Sequence, residues 1–226
     1  AGVFSLEDAA RLVTARAEGM QSCPGGGAMV SIQADESEIR EAIASYGDAI
    51  SIAGINSARQ TVVSGDASAL EKVAEGFKAS GRRVNKLVVS HAFHSRDMEP
   101  MLEAYRGVLE SVEFKSPRIP IVSNLTGKFV DAGQMTQPDY WVDQVRQAVR
   151  FNDGVQSLFE AGATHFLECG PRGALSGMGP HCLSDADAEF IPSHRKPGEE
   201  LSDLSRAAAH LYASGFKLDW TSELKG

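Results

Sequence analysis

The chain has 226 residues, 42% of them hydrophobic, enough to bury one substantial core or two small ones. A formal net charge of −8 and a pI near 5.3 argue against nucleic acid as a partner, since such affinity comes from neutralising phosphates. No stretch of about 18 apolar residues offers a membrane span, and the first residues lack the layout of a signal peptide.

Cys23, Cys169 and Cys182 are odd in number and have no C-x-x-C spacing. That usage suits free thiols in a reducing, cytoplasmic compartment better than disulfides or a zinc site.

Taken in order, Ser5 is placed to cap a helix running to about Gln21, with Asp8 three residues on in a variant of the capping box. Leu6, Ala9, Ala10, Val13 and Ala17 form its expected apolar stripe, and the PGGG at 24–27 breaks the chain. Strands are then expected at 28–33, 50–55, 60–64 and 84–89, and helices at 36–46 and 67–80. That βαββαβ order is the split unit of a ferredoxin-like subdomain.

Further on, helices are expected at 98–110, 139–144 and 153–161, with strands at 120–124 (IPIVS, then Asn124) and 164–169. Strands alternating with helices predict a parallel, wound sheet. The fold class expected is therefore α/β, a parallel-sheet body with an inserted ferredoxin-like subdomain. The body takes 1–26 and 93–195, the subdomain 27–92, and a C-terminal helix (201–214) with a linker 196–226.

The segment VVSHAFHS holds His91 and His94 at the end of an apolar run. H-x-x-H supplies two metal ligands, but no third or fourth is arranged around it, so no metal is expected. An ordinary strand end is the bland alternative. A catalytic reading gains from position, because sites form at strand ends in wound sheets, where a neutral histidine can act as general base.

No nucleophile elbow accompanies that base. VVSGD lacks the first glycine of G-x-S-x-G, and GALSG has its serine one place late. Arg16 is either an ordinary surface arginine or a bidentate clamp for a carboxylate. The glycines of LECGPRGALSGM read as a tight βα turn, although a helix N-terminus there could also hold an anion.

Taken together, VSHAFHS, SNLTG, DYWVDQV followed by VRF, and FLECGPRGALS resemble the acyltransferase domain of modular type I polyketide synthases. They resemble more distantly the malonyl-CoA:acyl carrier protein transacylases of fatty-acid synthesis. The resemblance runs through AGIN and VVSGD to GFKLDW. It implies a hydrolase-like body and a ping-pong transfer from coenzyme A, through an acyl-serine, to the phosphopantetheine thiol of an acyl carrier protein. It also implies no permanently bound cofactor and neighbouring domains such as a ketosynthase.

By the same resemblance, His94 matches the catalytic histidine and Arg16 the arginine that pairs with the extender unit's carboxylate. A backbone carbonyl around Gln144 would orient the histidine. His91, Ala92 and Phe93, with His94, match HAFH, which goes with malonyl selection where YASH goes with methylmalonyl. Phe93 would fill the space of the α-methyl, a clash being a better discriminator than the 1–3 kcal/mol or so of one methyl's attraction.

Two departures stand out. The family's elbow serine and oxyanion segment fall upstream of AGVFSLEDA, so this chain alone is expected to be inactive and to need the missing N-terminal part. Ala17 stands where relatives often have glycine, with no consequence expected. A free-standing transacylase, a lipid-synthase loading domain and a non-catalytic carrier-protein docking fragment are the alternatives.

Overall fold

The computed structural model describes residues 1–131, 133–183 and 186–220. The last six positions of the expected 196–226 linker lie outside the described residues. Two compact units emerge, Ala1–Leu158 and Phe159–Gly226.

Helix α1 (Leu6–Ser22) begins where the sequence placed it. The Ser5 hydroxyl oxygen accepts from the Asp8 N–H at 3.0 Å and its proton goes to the Asp8 carboxylate at 2.7 Å. The expected stripe is not the buried face, however. Leu12 and Met20 are buried, while Leu6 is 88% and Val13 68% exposed. The reason is close packing on the neighbouring helix. A Cβ on Gly19 would sit 2.8 Å from the Met101 methyl, so glycine lets the 12/19/20 side approach. The 6/10/13/17 side lies roughly a third of a turn away.

The ferredoxin-like unit is complete. Strands β1 (Ala28–Ile32), β2 (Ile50–Ser57), β3 (Gln60–Gly65) and β4 (Val84–Lys86) form an antiparallel sheet in the order β2-β3-β1-β4, with helices α2 (Glu36–Ile43) and α3 (Ala67–Ala79) as connections. All five residues of β1 are buried because both sheet faces are covered. Val30 and Ile32 join Ile39, Leu70 and Val73 on the helical side, and Met29 joins Ala53 and Val62 on the other. Ile32, Ile39, Val63 and Leu70 have no exposed surface, and such burial contributes about 1.5–3 kcal/mol per side chain.

Caps fix the helix starts. Asp35 and Glu38 form a reciprocal capping box on α2, and Asp66 caps α3 through the Ala69 N–H at 2.8 Å. α2 is shorter than expected, giving way to a 3-10 segment, Ala44–Ala49, that turns at Gly47.

A 3-10 turn (Arg96–Met98) leads into α4 (Glu99–Glu110), and α5 (Pro138–Arg146) and α6 (Phe151–Glu160) follow. The expected strand at 120–124 is not one. Val122 makes only an isolated bridge to Phe129, because Ser123 folds the chain into a tight loop, accepting from Gly127 N–H at 2.7 Å and sharing a hydroxyl bond with Tyr140.

In the second unit, β5 (His165–Glu168) pairs in parallel with β6 (Glu189–Pro192), a strand the sequence reading missed, alongside α7 (Ala174–Met178) and α8 (Glu200–Ala213). Among the described residues this pair is the only parallel sheet, so the expected wound sheet is represented here by two strands. No described helix is long and apolar enough to cross a membrane.

Candidate active site

The HAFH segment is a built turn. Ser95, 1% exposed, donates its hydroxyl to the Ala92 carbonyl at 2.6 Å and accepts from the Asp97 N–H. Gly27 passes so close beneath that a Cβ there would meet the Ala92 methyl at 2.6 Å. The turn throws His94 into the left-handed region, φ 57°, the one non-glycine residue with positive φ among those described. A conformation of that kind costs free energy and persists where surrounding structure imposes it, which is typical of functional positions.

His94 is half-buried, and its Nδ1 is buried without a hydrogen bond of ordinary geometry to a described residue. Burial pushes its pKa below the ordinary imidazole range. The backbone of Gln147 opposes this by favouring the protonated ring, and the positive charge of Arg16 reinforces it. The ring is thereby kept neutral near neutral pH, with its lone pair free to accept a proton, as a general base needs.

His91 is committed elsewhere. It is 5% exposed, with Nε2 3.1 Å from the Cys23 carbonyl and Nδ1 2.9 Å from the Ser90 hydroxyl. Both nitrogens therefore serve the fold and its turn. Phe93 lies 6.0 Å from the His91 ring and packs partly buried against both the Met29/Ala53/Val62 cluster and the Leu12/Met98/Met101 cluster.

Arg16 lies on the α1 face that borders an open cavity of about 480 Å³, lined also by Val13, Tyr105, Tyr140, Trp141 and Gln144. Its Nη2 donates to the Gln144 side-chain oxygen at 3.3 Å, while Nε is buried with no partner. Burial lowers the Arg16 pKa, with Tyr105 acting the other way. Burial likewise raises that of Tyr105. An arginine with one buried donor unsatisfied is suited to an anion, because its remaining N–H groups gain more from a carboxylate than from water.

The structure thus brings Arg16 within electrostatic reach of His94, while Phe93 and His94 themselves do not line this cavity. Gln144 meets Arg16 through its side chain, and the backbone beside His94 belongs to Gln147, three residues further on. Sequence reading gave no signal for that register, because a carbonyl carries no residue identity.

The two serines tested as nucleophiles are buried. Ser64 is fully buried in β3, and Gly65 after it lets the chain pass the Ala49 carbonyl, which a Cβ would meet at 2.1 Å. The Ser176 hydroxyl is also buried, and the first N–H groups of α7 are already taken by Glu168, from Ser176 at 2.7 Å and Leu175 at 3.1 Å. The turn after β5 holds the protein's own carboxylate.

A ferredoxin-like sheet beside a half-buried histidine in a left-handed turn and a half-buried arginine is the frame of an α/β domain. The chain belongs to the acyl transferase domain family, whose profile matches residues 1–217. It is 42% identical over 233 residues to polyketide synthase GfsB of Streptomyces halstedii, covering 100% of this chain and 4% of that protein. Against the spectinabilin polyketide synthase system protein NorB of Streptomyces orinoci the identity is 43% over 225 residues, 98% of this chain and 10% of that one.

Among solved structures, the acyltransferase domain from the second module of the salinomycin polyketide synthase superposes with a TM-score of 0.94 at 42% identity, covering 99% of this chain and 52% of that one. The malonyl CoA-acyl carrier protein transacylase of Clostridium perfringens gives a TM-score of 0.85 at 27% identity, over 94% and 66%. The chain therefore spans about half of the solved polyketide synthase domain and a small fraction of the curated synthases.

Proposed function

We propose that this chain is the C-terminal part of an acyltransferase domain that selects malonyl-CoA and loads it onto an acyl carrier protein, within a multidomain cytoplasmic polyketide synthase. The observation that carries the reading is His94: a non-glycine residue in a left-handed turn, half-buried, with the Gln147 backbone and the Arg16 charge acting on its protonation in opposite senses.

In this reading a serine supplied by an upstream segment attacks the malonyl thioester as its proton passes to His94. The C–S bond breaks and coenzyme A leaves as a thiol, taking the proton from His94. In the second half the carrier protein's phosphopantetheine thiol gives its proton to His94 and attacks the seryl ester, and the serine recovers that proton. No resident cofactor or metal takes part. Arg16 holds the malonyl carboxylate, for which the orphaned Nε is the supporting feature. His91 and Ala92 shape the turn, and Phe93 restricts space at the α-carbon.

The apolar side of α1, with Leu6 and Val13 exposed, supports cover by the upstream segment. Ketosynthase and carrier-protein partners follow from the same reading.

Intact mass measurement after brief incubation with malonyl-CoA, and separately with methylmalonyl-CoA, tests it. The domain carrying the upstream segment should gain a malonyl adduct, and the isolated 24.1 kDa chain should stay unmodified. Equal labelling by both substrates would remove the malonyl assignment, and labelling of the isolated chain would remove the upstream nucleophile.

A further inference from the structure

Helix α5 is anchored along its length, which fixes where Gln144 stands. Tyr140, Val142 and Val145 are buried, Trp141 Nε1 donates to the Met135 carbonyl at 3.0 Å, and Arg146 donates to Glu99 at 3.1 Å. Trp141 and Gln144 are about one helical turn apart and border the same 480 Å³ cavity, which Arg16 borders from α1. Gln144 is itself half-buried.

Arg16 Nη2 donates to Gln144 Oε1 at 3.3 Å, from one helix to the other. A guanidinium has donors and no acceptor, so it settles which end of the amide it meets. The oxygen must face Arg16, and the Nε2 group, with its two N–H donors, must face away from it. Among the described residues Nε2 has no hydrogen-bond partner, and Arg16 Nε is buried without one. Among the same residues no carboxylate pairs with Arg16, and the neighbour acting on its charge is Tyr105, 5% exposed.

Glutamine suits this place where its near relatives would not. A glutamate at 144 would form an ion pair with Arg16 and cancel the charge that an anion needs. An apolar side chain would leave Nη2 without its acceptor. Glutamine accepts from the guanidinium, leaves its charge uncompensated and still offers two donors of its own. The donation from Arg16 also polarises the amide, which strengthens those donors.

We propose that Gln144 is a second binding group for the malonyl carboxylate: Oε1 steadies the Arg16 guanidinium, and Nε2 donates to a carboxylate oxygen while Arg16 donates to the same group. The inference rests on the reading of Arg16 as the carboxylate's partner and adds a residue that meets the substrate beside it. Gln144 thereby contributes to the choice of acyl groups that end in a carboxylate over those that do not.

The test compares malonyl-CoA with acetyl-CoA, which lacks the free carboxylate, as substrates of the domain completed by its upstream segment. The readout is kcat/KM for acyl transfer from each, with the thermal midpoint showing that each variant is folded. Gln144→Met keeps the side-chain length and removes both amide functions. It should lower the malonyl value roughly tenfold, carried by KM, and leave the acetyl value within about twofold of the parent. Gln144→Glu keeps the shape but should lower the malonyl value roughly a hundredfold, because its charge pairs with Arg16 and repels the substrate. In an Arg16→Ala background the loss from Gln144→Met should shrink to about twofold, since the amide no longer has the group that orients it.

Malonyl and acetyl values that fall together would make Gln144 a support of α5 alone and overturn the proposal, as would an unmoved ratio in the folded Gln144 variants. If Arg16→Ala shifts the ratio and the Gln144 variants do not, the second donor fails while the Arg16 reading stands. If Arg16→Ala leaves the ratio unmoved, the Arg16 reading itself fails and the proposal falls with it. Gln144→Glu decides the matter if Gln144→Met does not fold.

Discussion

The ferredoxin-like sheet and the α1–α4–α5 layer beside it are built to different standards. In the sheet unit both faces are covered, the helices are capped by Asp35, Glu38 and Asp66, and the central residues have no exposed surface. In the helical layer the first helix leaves Leu6 and Val13 open, a 480 Å³ cavity separates Arg16 from the aromatic residues opposite, and Arg16 Nε and His94 Nδ1 are orphaned. The first region spends its sequence on packing. The second leaves polar groups unsatisfied and backbone strained, which stability alone would not keep.

That contrast can be broken in four ways. The largest effect is expected at His94. In the domain completed by its upstream segment, His94→Ala should reduce acyl transfer to carrier protein by about 10²- to 10⁴-fold or more while leaving the thermal midpoint nearly unchanged. Full activity in that variant would reduce the domain to a docking role.

Leu70→Ala makes the opposite incision, into the sheet core. It should cost about 2–5 kcal/mol in urea unfolding, and material that remains folded should retain His94's titration. A cost under about 1 kcal/mol would mean that the sheet is less tightly built than its burial implies.

Phe93→Ser probes the junction, since Phe93 packs on both regions. The preference for malonyl- over methylmalonyl-CoA, read as a ratio of kcat/KM, should fall by about 10- to 200-fold. An unchanged ratio would place selectivity elsewhere.

The smallest effect is on pH dependence. His94 has a folded pKa below its unfolded value near 6.5, so the unfolded chain takes up its proton first as pH falls. Its contribution to stability is therefore full above about pH 6.5 and is lost as pH falls through the folded value. His94→Gln should flatten that part of the acid limb in urea melts at several pH values. A limb of unchanged slope would show that burial does not govern this ring.

Much of the architecture was legible from residue order. Period-two runs with turn residues between them marked β1 to β4, and Ser5 marked the start of α1. HAFH and Arg16 stood out in the sequence because their chemistry is distinctive. The D-E-S-E pattern at 35–38 also carried a capping-box signal that went unread.

Other features were not in the linear pattern. Helix α1 has two apolar sides, and which is buried depends on Gly19 meeting Met101, a long-range contact. IPIVS looks like a strand by composition, yet Ser123's bonds to the loop and to Tyr140 decide for a turn. β6 is too short and too ambiguous to announce itself before β5 pairs with it.

The sequence by itself determined the βαββαβ unit, the acidic surface charge and the side chains available for acyl-transfer chemistry, because periodicity, caps and residue type are local properties. Only the tertiary structure decided that His94 stands half-buried in a left-handed turn and that Gln144 meets Arg16 through its side chain. Backbone direction and burial are set by contacts between residues about 100 positions apart, such as Arg150 with Glu36, and those leave no trace in local pattern.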